Sequence, residues 1–271
     1  MQNGEIARRG LVLLGCGKMG SAMLEGWLAR GLPSTSVWVM DPHPSDWLQA
    51  QGVHLNEALP QDPAIVLVAV KPQMMTEALP TLVTYGNGST LFVSVAAGTL
   101  IATYEAMLGD RTPVVRAMPN TPAAVGQGIT AIVGNDHASA TQIDQAEELL
   151  SAVGGVVRLD TEAQMDAVTG VSGSGPAYVF HMIECLAAAG EAQGLDPALA
   201  MTLAKATVAG AGALAMQASE DPAQLRRNVT SPNGTTQAGL EVLMDSENGL
   251  PPLVAATVAA ATNRSRELAN G

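Results

Sequence analysis

The hexapeptide Gly15-Cys16-Gly17-Lys18-Met19-Gly20 follows a short apolar run at 11–14 and opens a helical stretch. Few folds need three glycines at that spacing between a strand and a helix. The first glycine permits a tight turn. The second lets a ligand's phosphates approach the backbone, and the third lets helix and strand pack closely. The helix start adds unpaired N–H groups and a partial positive charge, which suit a pyrophosphate. The pattern predicts a dinucleotide site formed by Gly15, Cys16, Gly17, Lys18, Met19 and Gly20. The plain alternative is a glycine-rich turn that binds nothing.

The rest of the chain has two regimes. Up to about residue 160, β-rich runs at 11–14, 37–40, 65–70, 91–95, 114–117, 129–133 and 156–159 alternate with helical segments at 19–30, 72–83 and 100–108. The first five runs are short and nearly all apolar, as strands buried on both faces are. This alternation predicts an α/β fold, an N-terminal doubly wound (Rossmann) domain with a parallel sheet. Beyond residue 160 the pattern is all helical, with helices expected at 164–169, 176–193, 197–217, 222–228, 235–245 and 251–268. Several open on proline, whose missing N–H is harmless in a first turn. The stretch 197–217 is apolar almost all round, so it must be covered. A partner subunit would cover it, predicting a homodimer through this domain; a central core helix in a monomer is the alternative. The expected division is 1–162 and 163–271.

Composition narrows the partners. The net charge of −12, spread over both parts of the chain, opposes nucleic acid and an anionic membrane surface. No run approaches a membrane span in this reading, and the apolar run at 11–14 is too short for a secretion signal. Two cysteines, Cys16 and Cys185, form no disulfide framework and fit a reducing, cytoplasmic setting. Cys16 reads simply as a small side chain in the turn. No metal-ligand spacing appears, and His43, His54, His137 and His181 are scattered; His181 reads as packed within its helix.

The strand ends supply site candidates. Asp41 closes the second strand, where an acid would accept the ribose hydroxyls of NADH and repel the 2′-phosphate of NADPH; a solvated turn acid before Pro42 is the alternative. Lys71, in Ala69-Val70-Lys71-Pro72, could reach the cofactor or solvent. The small residues of Val95-Ala96-Ala97-Gly98 suit a flat nicotinamide ring. Arg116 could hold a carboxylate or pair with an acid or carbonyl. In the helical half, glycine- and hydroxyl-rich segments begin two helices: Ser172-Gly173-Ser174-Gly175-Pro176 and Ser231-Pro232-Asn233-Gly234-Thr235-Thr236. Oriented amides there make a carboxylate cradle that tolerates an acidic protein; an ordinary N-cap is the alternative.

At these residues the sequence resembles pyrroline-5-carboxylate reductases. The matching segments are GCGKMG at 15–20, AVKP at 69–72, SVAAG at 94–98, RAMPNTP at 116–122, DAVTGVSGSGPAY at 166–178 and SPNGTT at 231–236. The resemblance implies reduction of 1-pyrroline-5-carboxylate to L-proline by NADPH or NADH. It implies dinucleotide contacts from the glycine turn, Asn56, Ala69, Val70, Lys71, Pro72, Ala97 and, in the helical domain, Asn228. It places Glu162 near the substrate nitrogen and gives the carboxylate to Ser231, Gly234, Thr235 and Thr236. It further implies an interlocked homodimer, often assembled into a decamer. Two departures stand out: Asp41, where the family often carries Ser or Thr, and Asn233, which replaces a glycine.

Imine reduction needs no strong acid, because a pyrrolinium takes its proton from water near neutral pH. The expected catalytic groups are therefore modest: Thr236, hydrogen-bonding the nitrogen, and Glu162, stabilising its charge. A β-hydroxyacid dehydrogenase shares the architecture, but its acid/base lysine would fall at Val179. A non-catalytic dinucleotide-binding regulator is the third reading.

Overall fold

A computed structural model describes residues 4–269; the outermost residues of the two expected domains, 1–3 and 270–271, lie outside the described residues. Eight strands form one sheet: β1 (Leu11–Leu14), β2 (Val37–Met40), β3 (His54–Leu55), β4 (Ile65–Val68), β5 (Leu91–Ser94), β6 (Val114–Met118), β7 (Gly128–Gly134) and β8 (Gly154–Arg158), in the order 3-2-1-4-5-6-7-8. Twelve α-helices accompany them: α1 (Gly4–Arg9), α2 (Lys18–Ala29), α3 (Asp46–Gln49), α4 (Met75–Ala78), α5 (Ile101–Leu108), α6 (Ala140–Leu150), α7 (Met165–Val168), α8 (Gly175–Ala192), α9 (Pro197–Gln217), α10 (Pro222–Asn228), α11 (Thr235–Leu243) and α12 (Leu250–Ala269).

The doubly wound reading holds, and its physical reason is visible in the core. Alternate residues of each central strand face opposite layers. Leu11, Leu13, Ile65, Leu67, Leu91 and Val93 pack with α2 residues Met23, Leu24 and Trp27. Val12, Leu14, Val66, Val68 and Phe92 pack on the other face with Leu79, Ile101 and Tyr104. With both faces buried, nothing but apolar side chains fits, hence the unbroken apolar runs.

Several details differ from the sequence reading. Strands β1–β6 are parallel; β7 runs antiparallel to β6, and β8, parallel to β7, shares its reversed direction. Residues 119–127, holding only a 3-10 turn at Thr121–Val125, are too few for the dozen or so residues of a parallel crossover. The helix expected over 72–83 is broken into a 3-10 turn, α4 and a second 3-10 segment, Leu79–Tyr85. Pro80 lacks the N–H that a continuous helix requires and disfavours helix at Leu79. Helix α6 and the short β3 were not anticipated; α6 carries a capping box between Ser139 and Gln142 that the sequence did contain.

The chain forms two compact units. One comprises the described residues through Gly173 together with those from Thr262 onward; the other is Ser174–Ala261. The tail of α12 joins the first unit, where Ser265 Oγ donates to Asp166 Oδ1 at 2.7 Å. In the helical unit α8 lies on α9 through Ala187, Ala200 and Ala204, its only buried apolar residues among those described. Phe180, Leu203, Leu214, Met216 and Val242 stay exposed. Burial of so little apolar surface cannot offset the entropy of ordering five helical segments, so this unit needs another surface.

Two expectations require correction here. Helix α9, at 21 residues and a mean hydropathy of 1.4, is long and apolar enough to cross a membrane by length and composition. The sequence reading overlooked it because Ala, Gly and Thr make its apolarity diffuse and Lys205 interrupts the run. His181 is not packed within this chain: it is exposed on the bare face of α8 and hydrogen-bonds Glu184 through Nδ1.

Candidate active site

The register sets Leu14 of β1 beside Met40 of β2 and Val68 of β4, so three carboxyl ends align at one edge. The chain leaves β1 toward β2 and β3, then returns to β4 on the other side. Ligands bind in the crevice at such a switch point. Gly15 turns there at φ 88°, and its N–H donates to Met40 O at 2.8 Å. A Cβ on Gly15 would come within 3.0 Å of Ala69 O, and one on Gly20 within 2.5 Å of Gly15 O. A Cβ on Gly17 would meet nothing within 4 Å. Two glycines therefore serve the packing of turn, β4 and α2. The third borders open space at the start of α2, where Gly17 is the N-cap and no side chain caps the helix. That arrangement fits a dinucleotide pyrophosphate.

The neighbouring candidates gather around this turn. Cys16 is buried, and burial pushes its thiol up despite the adjacent Ser21 hydroxyl, with Asp41 also raising it. This agrees with a small packing residue, since the reactive form is the thiolate. Asp41 accepts the Cys16 N–H through Oδ2 at 2.7 Å and the His43 N–H through Oδ1 at 2.8 Å. Asn56, at φ 53°, takes the Asp41 N–H on Oδ1 and donates Nδ2 to the Asp41 carbonyl. Ala69 and Val70 line the turn, while Lys18, Lys71, Pro72 and Ala97 are exposed and Met19 is half-buried.

The open reading of Arg116, which lies within β6, is decided by its ion pair with Glu162. Arg116 is 3% exposed and donates Nη1 to Glu162 Oε1 at 2.7 Å. The same oxygen accepts the Ile101 N–H at 2.9 Å, so Glu162 caps α5 from a distant part of the chain. Tyr104 of α5 is buried and its hydroxyl hydrogen-bonds Ser94 at the end of β5. The loop 95–100 is thus fixed at both ends. A lone Arg in the apolar strand VVRAM was the signal that a buried acid had to exist. The structure adds one link the sequence reading missed. Asn120 accepts the Ile129 N–H and donates to Ser172 O, at 2.9 and 3.2 Å, tying the PNTP loop to the π-helical segment Thr169–Gly173.

The helical unit contains the remaining candidates. Gly234 starts α11 with no side-chain cap, and Ser174 likewise starts α8 without one. Neither segment is therefore an ordinary side-chain N-cap. Thr235 and Thr236 are exposed in the first turn of α11. Asn233 adopts φ 59°, the conformation its replaced glycine would favour, so the turn survives. A Cβ on Gly234 would meet Ser231 Oγ at 2.4 Å. Asn228 ends α10, with Oδ1 accepting from Gln224 at 2.6 Å. Val179, at the position a dehydrogenase lysine would take, has no proton to exchange.

Doubly wound sheet, glycine cradle and separate helical unit together define an NAD(P)H-dependent oxidoreductase. Residues 162–268 match the family described as pyrroline-5-carboxylate reductase dimerisation, and residues 10–98 match NADP oxidoreductase coenzyme F420-dependent. The chain is 41% identical over 265 residues to the pyrroline-5-carboxylate reductase of Pseudomonas aeruginosa, covering 96% of each. It superposes on the pyrroline-5-carboxylate reductase of Coxiella burnetii with a TM-score of 0.89 at 32% identity, covering 96% and 98% of the two chains. For the Plasmodium falciparum pyrroline carboxylate reductase with NADP bound, the TM-score is 0.83 at 28% identity, covering 97% and 99%. The chain belongs to the pyrroline-5-carboxylate reductase family.

Proposed function

We propose that this protein reduces 1-pyrroline-5-carboxylate to L-proline with NAD(P)H, the last step of proline biosynthesis, in the cytoplasm. The full-length relationship to the Pseudomonas aeruginosa enzyme carries this reading. The dinucleotide, when bound, supplies hydride to the imine carbon. The chain's own work is placement. Gly17, Lys18 and Met19 meet the pyrophosphate at the start of α2, in the turn that Gly15, Cys16 and Gly20 shape. Ala69, Val70, Lys71, Pro72 and Ala97 line the same strand ends, and the family resemblance gives Asn228 a dinucleotide contact. Ser231, Gly234, Thr235 and Thr236 cradle the substrate carboxylate with the amides of α11. Thr236 also hydrogen-bonds the ring nitrogen. Glu162 Oε1 is committed to Arg116 and Ile101, which leaves Oε2 as the oxygen that stabilises the iminium charge.

Following NADH oxidation with 1-pyrroline-5-carboxylate tests the activity directly. A protein that binds NADH yet turns over neither this imine nor a hydroxyacid with NAD would be the regulator instead. Thr236→Ala should lower kcat about a hundredfold if the hydroxyl meets the developing nitrogen charge; wild-type turnover in that variant would remove the role.

The bare faces of α8, α9 and α11 belong to a homodimer, on which a decamer is built. The membrane-length apolarity of α9 is accounted for by this interface, so no membrane partner is required. Leu203→Glu places a charge on α9 in that interface and should weaken dimerisation about a hundredfold. Light scattering across a dilution series would detect it; an unchanged oligomer would put the interface elsewhere.

A further inference from the structure

We propose that Asp41 makes this enzyme select NADH over NADPH, and that Asn56 is the positioning residue that holds Asp41 in the selecting geometry. The inference rests on the reading of the chain as an NAD(P)H-dependent reductase and concerns the dinucleotide side of that site. Strand β2 delivers Asp41 beside the glycine turn. Its two carboxylate oxygens accept different backbone groups, Cys16 N–H at 2.7 Å and His43 N–H at 2.8 Å. A carboxylate tied at both oxygens cannot swing away from an arriving ligand. Each oxygen still has a second lone pair, and Asp41 is only half-buried. The pair of oxygens is therefore able to receive two adjacent ribose hydroxyls as donors.

A 2′-phosphate meets the opposite chemistry. It offers acceptors and about two negative charges to a group that can only accept. No counter-charge is at hand, because residues 31–70 contain no Lys or Arg. His43 and His54 are the only side chains there able to become cationic, and His54 is already engaged by Glu57 and Thr35 O. Lys18 and Lys71 lie on α2 and after β4, off the β2 loop.

Asn56 works through Asp41. Its backbone N–H donates to Val39 O at 2.8 Å, anchoring it alongside β2. Its side-chain amide then closes on the Asp41 backbone from both sides, accepting the N–H at 2.9 Å and donating to the carbonyl at 2.8 Å. Both ends of the amide are spent on Asp41. Only a side chain with a donor and an acceptor on one carbon does this, and only Gly, Asn or Asp sits readily at φ 53°.

Titration calorimetry of the full-length protein with NADH and with NADPH, alongside initial rates with each, tests the proposal. Wild-type protein should bind NADH about tenfold or more tightly than NADPH, the scale of one like-charge contact largely screened by water. Asp41→Ser should erase or reverse that ratio. Asn56→Gly keeps the left-handed backbone and removes only the amide clamp, so it should shrink the ratio several-fold with little change in melting temperature. Equal affinities in the wild type, or an unmoved ratio in Asp41→Ser, would overturn the selection. An unmoved ratio in Asn56→Gly would overturn the positioning role. NADH-selective binding without turnover of 1-pyrroline-5-carboxylate would uphold the selection and overturn the substrate reading instead.

Discussion

Glu162→Ala is expected to lower folding stability by about 4 kcal/mol and to damage turnover at the same time, with the two effects separable. Arg116 is 3% exposed and has Glu162 as its ion-pair partner. Removing one member of a buried pair leaves an uncompensated charge, at roughly 3–5 kcal/mol. Glu162 is itself 28% exposed, so water reaches the vacated place and the lower end applies. The α5 start also loses the acceptor for Ile101 N–H, worth about 1 kcal/mol. Urea unfolding at fixed protein concentration measures the loss, since an oligomer's stability depends on concentration. The double variant Arg116→Met, Glu162→Leu should recover most of the stability, because a well-packed apolar pair often replaces a buried ion pair without penalty. It should not recover turnover if Glu162 Oε2 faces the iminium. Wild-type turnover in the double variant would reduce Glu162 to a structural acid; full stability in Glu162→Ala would mean that Arg116 is solvated.

Gly20→Ala and Gly17→Ala should fail differently. On Gly20 the added Cβ lies 2.5 Å from Gly15 O, a backbone atom that cannot swing aside. Helix α2 must move away from the turn, so stability should fall by about 2 kcal/mol, as overpacking does, and dinucleotide affinity about a hundredfold with it. On Gly17 the Cβ meets no protein atom within 4 Å, and α2 begins there with ordinary negative φ. Its stability should stay within about 0.5 kcal/mol of wild type. Its dinucleotide affinity should still fall, because the methyl group occupies the space into which the pyrophosphate must come. Normal NADH binding by Gly17→Ala would move the phosphate site away from the turn. A Gly20→Ala protein with unchanged stability would mean that α2 has more freedom than the close contact allows.

The two variants divide along the same line as the fold itself. Glycines at 15, 17 and 20 were legible as a motif, and their spacing already separated the two that pack, Gly15 and Gly20, from Gly17, which borders open space. What the order of residues did not show is the strand they pack against, because β4 is distant in sequence. Asp41 was legible as an acid at a strand end, but its bond to Cys16 N–H depends on β1 and β2 being neighbours in register. Arg116 was legible only as a problem, a charge in an apolar strand. Its solution, Glu162, is 46 residues on, and no local pattern links them. The break in the helix after Pro72 has a local cause: Pro80 has no N–H to donate, whatever the apolar pattern around it.

By itself the sequence determined what depends on nearest neighbours along the chain. These are the apolar strand runs, the strand–turn–helix with its glycines, the helical second half, and a helix α9 too apolar to remain bare. Such features follow from backbone freedom and side-chain periodicity, which act over a few residues. The tertiary structure decided everything that requires two distant segments to share a boundary: the capture of Glu162 by Arg116 and α5, the Asn56 clamp on Asp41, and the return of the α12 tail to the first unit. Those outcomes rest on burial, since a charge or an N–H taken from water must find its partner wherever the packed chain brings one.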